Sequence, residues 1–236
     1  PSVLLATLVA CAAPSRRDAA DPDLASKLKT LVDGFAGDVG VYVRHLHHGE
    51  TVAMRADELF PTASLIKLPI LIRVLERVQL GELDYHAPLT YSKARLYPGE
   101  DLLASFVDGA LIDLSRLCLL MMTLSDNTAS LWLQELAGTG TAINAWLATH
   151  DFVHTRVNSR TPGREERKEL FGWGQTTPRE MAELLVMVRE GRAGTSAACE
   201  EMRRLLSRSY WDGEALAMLP PEVAVLSKQG AVSHSR

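Results

Sequence analysis

The chain has 236 residues, a length near the upper end for one domain, and 25 Lys+Arg against 29 Asp+Glu give a formal net charge of -4. With 47% hydrophobic residues it can bury a sizeable core without a structural metal or a disulfide framework. Aromatic residues make up only 6% and the basic residues are scattered, which argues against a nucleic-acid-binding surface. The cysteines, Cys11, Cys118 and Cys199, lie too far apart for a zinc cluster, and we expect neither a metal nor a cofactor.

Residues 1–22 form a segment separate from the domain that we predict over 23–236. Val3–Ala13 is apolar or small except for Thr7, too short to cross a bilayer but long enough for the apolar region of a secretory signal. Leu8-Val9-Ala10-Cys11 resembles the lipobox of bacterial lipoproteins, and a plain cleaved signal around Ala10–Ala13 is the alternative. We therefore expect an exported protein, either periplasmic or lipid-anchored at Cys11, with a linker before the domain.

The rest of the pattern predicts one helix, then a hairpin, then mostly helices. Helical spacing indicates a helix over Asp23–Val32, and Val39–Leu46 with Thr51–Met54 predicts an antiparallel hairpin. Further elements are predicted as helices over Ser64–Leu80, Leu114–Thr123, Asp126–Leu136, Thr141–His150, Pro178–Glu190 and Ser196–Leu206, and as a strand over Val223–Lys228. The fold class is therefore a helix-rich α+β domain.

A Ser-x-x-Lys motif, Ser64-Leu65-Ile66-Lys67, opens the longest of these helices. The spacing puts the lysine amine on the same helical face as the serine hydroxyl, and the free N–H groups of a helix start can stabilise an oxyanion. A second match, Ser26-Lys27-Leu28-Lys29, lies in an ordinary amphipathic helix and is interpreted as solvated surface. Phe60–Ala63 breaks regular structure just before Ser64 and predicts a strand-to-helix junction there.

Two more motifs follow in the chain. Ser125-Asp126-Asn127 lies at a turn between two predicted helices, and Lys228-Gln229-Gly230 ends the last predicted strand. Together with Ser64-x-x-Lys67 and with the Thr176–Ala182 segment, they resemble the penicillin-recognising serine hydrolases, and among these the class A β-lactamase-like branch. The resemblance runs from about Asp23 to Arg236. It implies a β-lactamase/transpeptidase-like fold, with a helical subdomain and an antiparallel sheet packed against helices.

The resemblance also implies a set of site residues. Ser64 would attack the amide carbonyl of a β-lactam or of a peptidoglycan-like substrate and form an acyl-enzyme, with Lys67 as its base. Ser125 would pass a proton to the leaving nitrogen. The implied catalytic residues are Ser64, Lys67, Ser125, Asn127 and Lys228, and the implied substrate-binding residues are Gln229, Gly230 and Ala231, whose N–H would share the oxyanion hole with that of Ser64.

Two departures from the family pattern concern the chemistry. Gln229 replaces the usual Thr or Ser; its amide can still donate to a carboxylate but carries no hydroxyl. Class A β-lactamases carry a glutamate that takes part in deacylation. Counting back from Pro178 places the equivalent position near Thr161, where there is no carboxylate. Glu165, Glu166 and Glu169 could replace it only in a shortened loop, and their charge-rich setting, Arg164–Lys168, is interpreted as a solvated loop. Two alternatives therefore stay open: a penicillin-binding or esterase-like relative with slow deacylation, and a non-catalytic cell-wall binding module.

A third departure is that the sequence stops soon after the Lys228 motif, whereas the family continues with two strands and a helix. We expect the Lys228 strand to lack a ladder partner, the hairpin to leave an open edge, and these 236 residues alone to show little activity. Some class A relatives form a disulfide between a cysteine at the position of Cys118 and a second cysteine in the helix after the nucleophile. Leu71 occupies the position of that second cysteine here, so no disulfide is expected. His45, His47 and His48 lie at the hairpin turn without a carboxylate at ligand spacing, so we expect no metal site there. We also expect the protein to be a monomer.

Overall fold

A computed structural model describes residues 19–20, 22–99, 101–211, 213 and 216–232. The expected signal segment, with Cys11, lies outside this part of the chain. The helices are α1 Pro22–Val32, α2 Lys67–Gln79, α3 Leu114–Leu119, α4 Asn127–Leu136, α5 Thr139–Thr149, α6 Glu165–Phe171, α7 Pro178–Arg189 and α8 Ser196–Leu206. The strands are β1 Ala19–Ala20, β2 Val41–Arg44, β3 Glu50–Met54, β4 Phe60–Pro61, β5 Pro88–Thr90, β6 Leu111–Asp113, β7 Arg156–Val157 and β8 Gly174–Thr176.

Helix α2 lies at the centre of the core, because all of its residues from Lys67 to Ile72 are buried. Ile70, Leu71 and Ile72 are fully buried, as are side chains on both sides of them. The helix packs against α4, α5 and α8. Burying each such aliphatic side chain contributes about 1.5–3 kcal/mol to folding, which fixes α2, and with it the residues at its start.

Three small sheets surround this helical core. In one, β3 lies between β1 and β2, with β2 antiparallel to β3; in the second, β8 lies between β4 and β7; the third pairs β5 with β6. Within the described residues β2 has a hydrogen-bonded neighbour on one side only, as expected for the hairpin edge. Among the same residues, no helix combines the length and apolarity needed to cross a membrane.

Most of the predicted elements are present. The first helix, the hairpin, and the helices ending near Leu136, Thr149, Arg189 and Leu206 agree with the sequence within a few residues. The predicted Ser64–Leu80 helix begins with a 3-10 turn over Ala63–Ile66 and becomes α-helical only at Lys67. The predicted Leu114–Thr123 helix changes to a π-helical turn over Leu120–Leu124.

Two local predictions were wrong. Val223–Lys228 forms no strand in the described chain. The backbone N–H of Ser227 donates to Leu206 O (2.9 Å) at the end of α8, and this contact is not part of a β-ladder. A short apolar run with β-branched residues suits a sheet, but a strand also needs a hydrogen-bonded neighbour. The charged stretch interpreted as a loop contains helix α6, although its glutamates are exposed as expected.

Candidate active site

A strained turn presents Ser64 at the end of strand β4. Thr62 N–H donates to Gly174 O (2.9 Å), which ties this turn to β8, and Ala63 adopts a positive φ of 43°. Non-glycine residues rarely take this conformation, which costs about 1–3 kcal/mol and concentrates at functional sites. Ser64 is half-buried, and its hydroxyl makes no hydrogen bond within the described residues. The predicted strand-to-helix junction is present.

Lys67 is fully buried one turn further on, at the start of α2. Its Nζ donates to Ser125 O (2.5 Å), Ser125 Oγ (3.0 Å) and Asn127 Oδ1 (2.8 Å). Burial first, and then repulsion from the Lys228 ammonium, lowers the pKa of the Lys67 amine to about 7, against the attraction of Asp101 and Asp126. A buried amine with this pKa can be neutral near physiological pH.

Ser125 is held at the turn between the π-helical segment and α4. It has a left-handed φ of 62°, and the following Asp126 caps α4 by accepting Ala129 N–H (2.8 Å). This arrangement aims Ser125 Oγ between two amines: Lys67 Nζ lies at 3.0 Å and Lys228 Nζ at 3.1 Å. The structure thus brings the first two motifs into contact, and the third motif reaches the same hydroxyl.

Gly230 explains how the third motif reaches Ser64. A Cβ built on Gly230 would lie 2.5 Å from Thr62 O, 2.9 Å from Ser64 N and 3.0 Å from Leu65 N. Only glycine therefore fits, and the backbone of residues 228–231 runs directly against the 62–65 turn. The peptide that follows Gly230 belongs to Ala231, which is exposed.

Lys228 and Gln229 lie on the same segment and are partly buried. Burial lowers the pKa of the Lys228 amine to about 8, and its Nζ also donates to Gln229 O (2.7 Å). We call Lys67, Ser125, Asn127 and Lys228 the two-lysine cluster. The cluster forms although residues 223–228 are not a strand. The close approach of Gly230 to the Ser64 turn and the hydrogen bond from Ser227 N–H to Leu206 O hold this segment in position.

The loop expected to carry a deacylating carboxylate does not bring one to this cluster. Thr161 is buried and donates to Ser159 O (2.9 Å), while Glu165, Glu166 and Glu169 are exposed on α6. No hydrogen bond links these three carboxylates to the two-lysine cluster in the part of the chain that the structure describes. The described structure therefore gives none of these three glutamates a hydrogen-bonding contact with the site at which the acyl-enzyme would form.

Three residues near the cluster had not been selected from the sequence. Asp101 accepts hydrogen bonds from the first residues of α4. Trp173 packs edge-on against Tyr97 (ring centroids 5.0 Å apart), and Trp211 Nε1 donates to Leu124 O (3.0 Å), next to Ser125. None of the three lies in a local motif.

Comparison with known proteins agrees with this geometry. Residues 23–236 match the model of the beta-lactamase enzyme family, which covers the whole region that holds the motifs. The chain belongs to this family. The resemblance drawn from Ser64, Ser125 and Lys228 and the predicted α+β fold are thereby confirmed.

The individual relatives compared below share 22% to 29% sequence identity with this chain. The ROB-1 β-lactamase of Haemophilus influenzae is 28% identical over 197 residues, which cover 77% of this chain and 63% of ROB-1. An ancestral class A β-lactamase superposes with a TM-score of 0.79 at 29% identity, over 90% of this chain and 82% of its own. A PBP-A mutant in an acyl-enzyme complex with penicillin G gives 0.81 at 22% identity, over 91% and 79%. The chain spans less than two thirds of the length of curated relatives such as ROB-1.

Proposed function

We propose that the protein is an active-site serine hydrolase, class A β-lactamase-like, that is acylated at Ser64 by the amide of a β-lactam ring and then hydrolyses the acyl-enzyme. The observation that carries the proposal is the position of Ser125 Oγ between the amines of Lys67 and Lys228, beside the Ser64 turn. Family membership supports the same reaction.

The acylation step follows from these contacts. Ser64 Oγ attacks the carbonyl carbon, and its proton passes to the neutral Lys67 amine, which Asn127 holds in place. The oxygen of the carbonyl takes up negative charge as the tetrahedral intermediate forms. Backbone N–H groups of Ser64 and Ala231 would stabilise it, since Gly230 brings the two peptides together.

Collapse of the intermediate requires a proton on the leaving nitrogen. Ser125 Oγ can supply it and be reprotonated by Lys67, with which it already shares a hydrogen bond of 3.0 Å. The Lys228 ammonium lies on the other side of the same hydroxyl and would attract a substrate carboxylate, with the Gln229 amide as a further donor. The C–N bond then breaks, leaving the acyl group on Ser64.

A second candidate is a penicillin-binding relative whose acyl-enzyme persists. The specific observation in its favour is that Thr161 is buried and is no carboxylate, and counting back from Pro178 puts the glutamate that activates the deacylating water in class A enzymes near this residue. Its hydroxyl is already committed to Ser159 O and cannot replace a carboxylate base. Under this candidate, acylation is the same and only the second half-reaction is slow.

Labelling by a fluorescent penicillin tests the proposal. We expect the full-length wild-type protein, when it is denatured immediately after mixing so that the acyl-enzyme is trapped, to carry one covalent label and Ser64→Ala to carry none, because the acyl bond forms on that hydroxyl. Ser26→Ala, in the other Ser-x-x-Lys match, is the control and should label as wild type. Absence of a Ser64-dependent label would remove both enzymatic candidates and leave a binding module.

The lifetime of the label separates the two candidates. Turnover by a β-lactamase releases the labelled acyl group within seconds, whereas a penicillin-binding relative keeps it for hours. The measurement is the decay of protein-bound fluorescence after excess unlabelled penicillin is added.

The pH dependence of acylation is predicted from the two lysines. Lys67 must be neutral to accept the proton, so the rate should rise as the pH passes about 7; Lys228 should be charged to attract the carboxylate, so the rate should fall above about 8. The check is the labelling rate at sub-saturating penicillin. A rate that stays flat between about pH 6 and pH 9 would contradict the assignment of Lys67 as base.

We further propose that the protein is exported and is lipidated at Cys11 or cleaved nearby. The apolar Val3–Ala13 stretch and the lipobox-like sequence support this.

A further inference from the structure

The carboxylate of Asp101 binds the start of helix α4 through several hydrogen bonds. Its Oδ1 accepts Asn127 N–H (2.9 Å), and its Oδ2 accepts both Thr128 N–H (2.7 Å) and the Thr128 hydroxyl (2.7 Å). Thr128 Oγ1 also accepts Tyr97 N–H (3.0 Å), from the same loop as Asp101. Hydrogen bonds to an ionised carboxylate are about twice as strong as those between neutral groups, so this contact fixes the first turn of α4.

Asp126 completes the connection from the other side. One of its carboxylate oxygens accepts Leu103 N–H (3.1 Å), just after Asp101, while the other caps α4 at Ala129 N–H. Each segment therefore supplies a carboxylate that binds the backbone of the other. The loop before Leu103 and the turn that carries Ser125 are held as one unit.

Asn127 links this unit to the chemistry. Its backbone N–H is held by Asp101, and its side-chain Oδ1 accepts a hydrogen bond from Lys67 Nζ (2.8 Å). A shift of Asn127 would move an acceptor of the amine that is to take the proton of Ser64. We propose that Asp101 is a positioning residue for the proposed acylation at Ser64, acting through Asn127 on Lys67; the inference rests on that proposed function.

Electrostatics gives Asp101 a second effect on the same amine. The charged groups that face Lys67 are the Lys228 ammonium, which lowers its pKa, and the carboxylates of Asp101 and Asp126, which raise it. Removing the charge of Asp101 therefore lowers the pKa of Lys67 further. The acid limb of the pH–rate profile must then move to lower pH, because less base is needed to deprotonate Lys67.

Three variants separate the effect of Asp101 on the position of Asn127 from the effect of its charge on Lys67. Asp101→Asn removes the charge and replaces one acceptor by an amide donor, so we expect the maximal labelling rate to fall about tenfold and the acid limb to move to lower pH. Thr128→Val removes both hydrogen bonds of the Thr128 hydroxyl, to Asp101 and from Tyr97 N–H, but keeps the carboxylate of Asp101, so the rate should fall while the acid limb stays in place. Asp108→Asn is the matched control: this exposed carboxylate also accepts a backbone N–H, from Lys93 (2.7 Å), and should change neither.

The experiment measures labelling by fluorescent penicillin against pH for wild type and the three variants. A carbon-13 NMR titration of the Lys67 Cε signal on the same proteins, assigned with Lys67→Met, supplies a readout that needs no reaction. The inference is overturned if Asp101→Asn matches Asp108→Asn, or if its rate falls while the limb and the Lys67 titration stay in place, which marks a purely structural role. Lack of a Ser64-dependent label in wild type instead overturns the proposed function, and the NMR titration still decides whether Asp101 acts on Lys67.

Discussion

Replacing Lys67 by methionine is expected to lower the rate of acylation at Ser64 by a factor of about 10² to 10⁴, the usual contribution of a positioned general base. The methionine has a similar length and no amine, so the hydroxyl of Ser64 loses its proton acceptor. The methionine leaves the acceptors on Ser125 and Asn127 without the Lys67 donor, so we expect the free energy of unfolding to fall by about 1–3 kcal/mol while the fold is retained. The measurement is the second-order rate of labelling by fluorescent penicillin, with the melting temperature recorded in parallel.

Lys93→Met is the matched control, because Lys93 is exposed in a short 3-10 turn away from the two-lysine cluster. It should label at the wild-type rate. If Lys67→Met also labels at that rate while Ser64→Ala does not label at all, another group takes the proton. Lys228 would then be the candidate, since its Nζ reaches the same Ser125 hydroxyl at 3.1 Å.

The sequence predicted the members of the two-lysine cluster but not the contacts that hold them. Ser64, Ser125 and Lys228 each lie in a short motif whose residue types are unusual together, so their convergence could be expected. Asp101 has no such signal: its partner Asn127 lies 26 positions further along the chain, and the bond depends on the path of the intervening loop. Local patterns report propensity, whereas contacts of this kind follow from tertiary packing.

The same distinction explains why the predicted strand over Val223–Lys228 is absent. Val223–Lys228 has the composition of a strand, yet in the described structure it is held by the hydrogen bond from Ser227 N–H to Leu206 O and by the approach of Gly230 to the Ser64 turn. β-Propensity describes how side chains fit a pleated surface and does not supply a neighbouring strand. The helices were easier to predict because a helix makes its backbone hydrogen bonds internally, and helices such as α2, α4 and α8 also bury an apolar stripe.

Gly230→Ala is expected to reduce acylation by a factor of about 10 to 10², because misplacing a reacting group by a fraction of an ångström to 1 Å has effects of this size. The new methyl group would lie 2.5 Å from Thr62 O and 2.9 Å from Ser64 N, and both are backbone atoms that no side-chain rotation can move. Either the 228–231 segment retreats or the 62–65 turn shifts. In both cases the N–H groups of Ser64 and Ala231 separate, and the proposed oxyanion hole widens.

The measurement that identifies this cause separates the affinity for penicillin from the maximal rate of acylation. A widened oxyanion hole lowers the maximal labelling rate at saturating penicillin, since the N–H groups act mainly on the charge that develops in the transition state. Gly213→Ala is the control, because a Cβ there meets nothing within 4 Å and the residue carries no positive φ. If Gly230→Ala reaches the same maximal rate as Gly213→Ala, the close approach of Gly230 to Ser64 has no part in the chemistry, and the oxyanion must be stabilised by other groups.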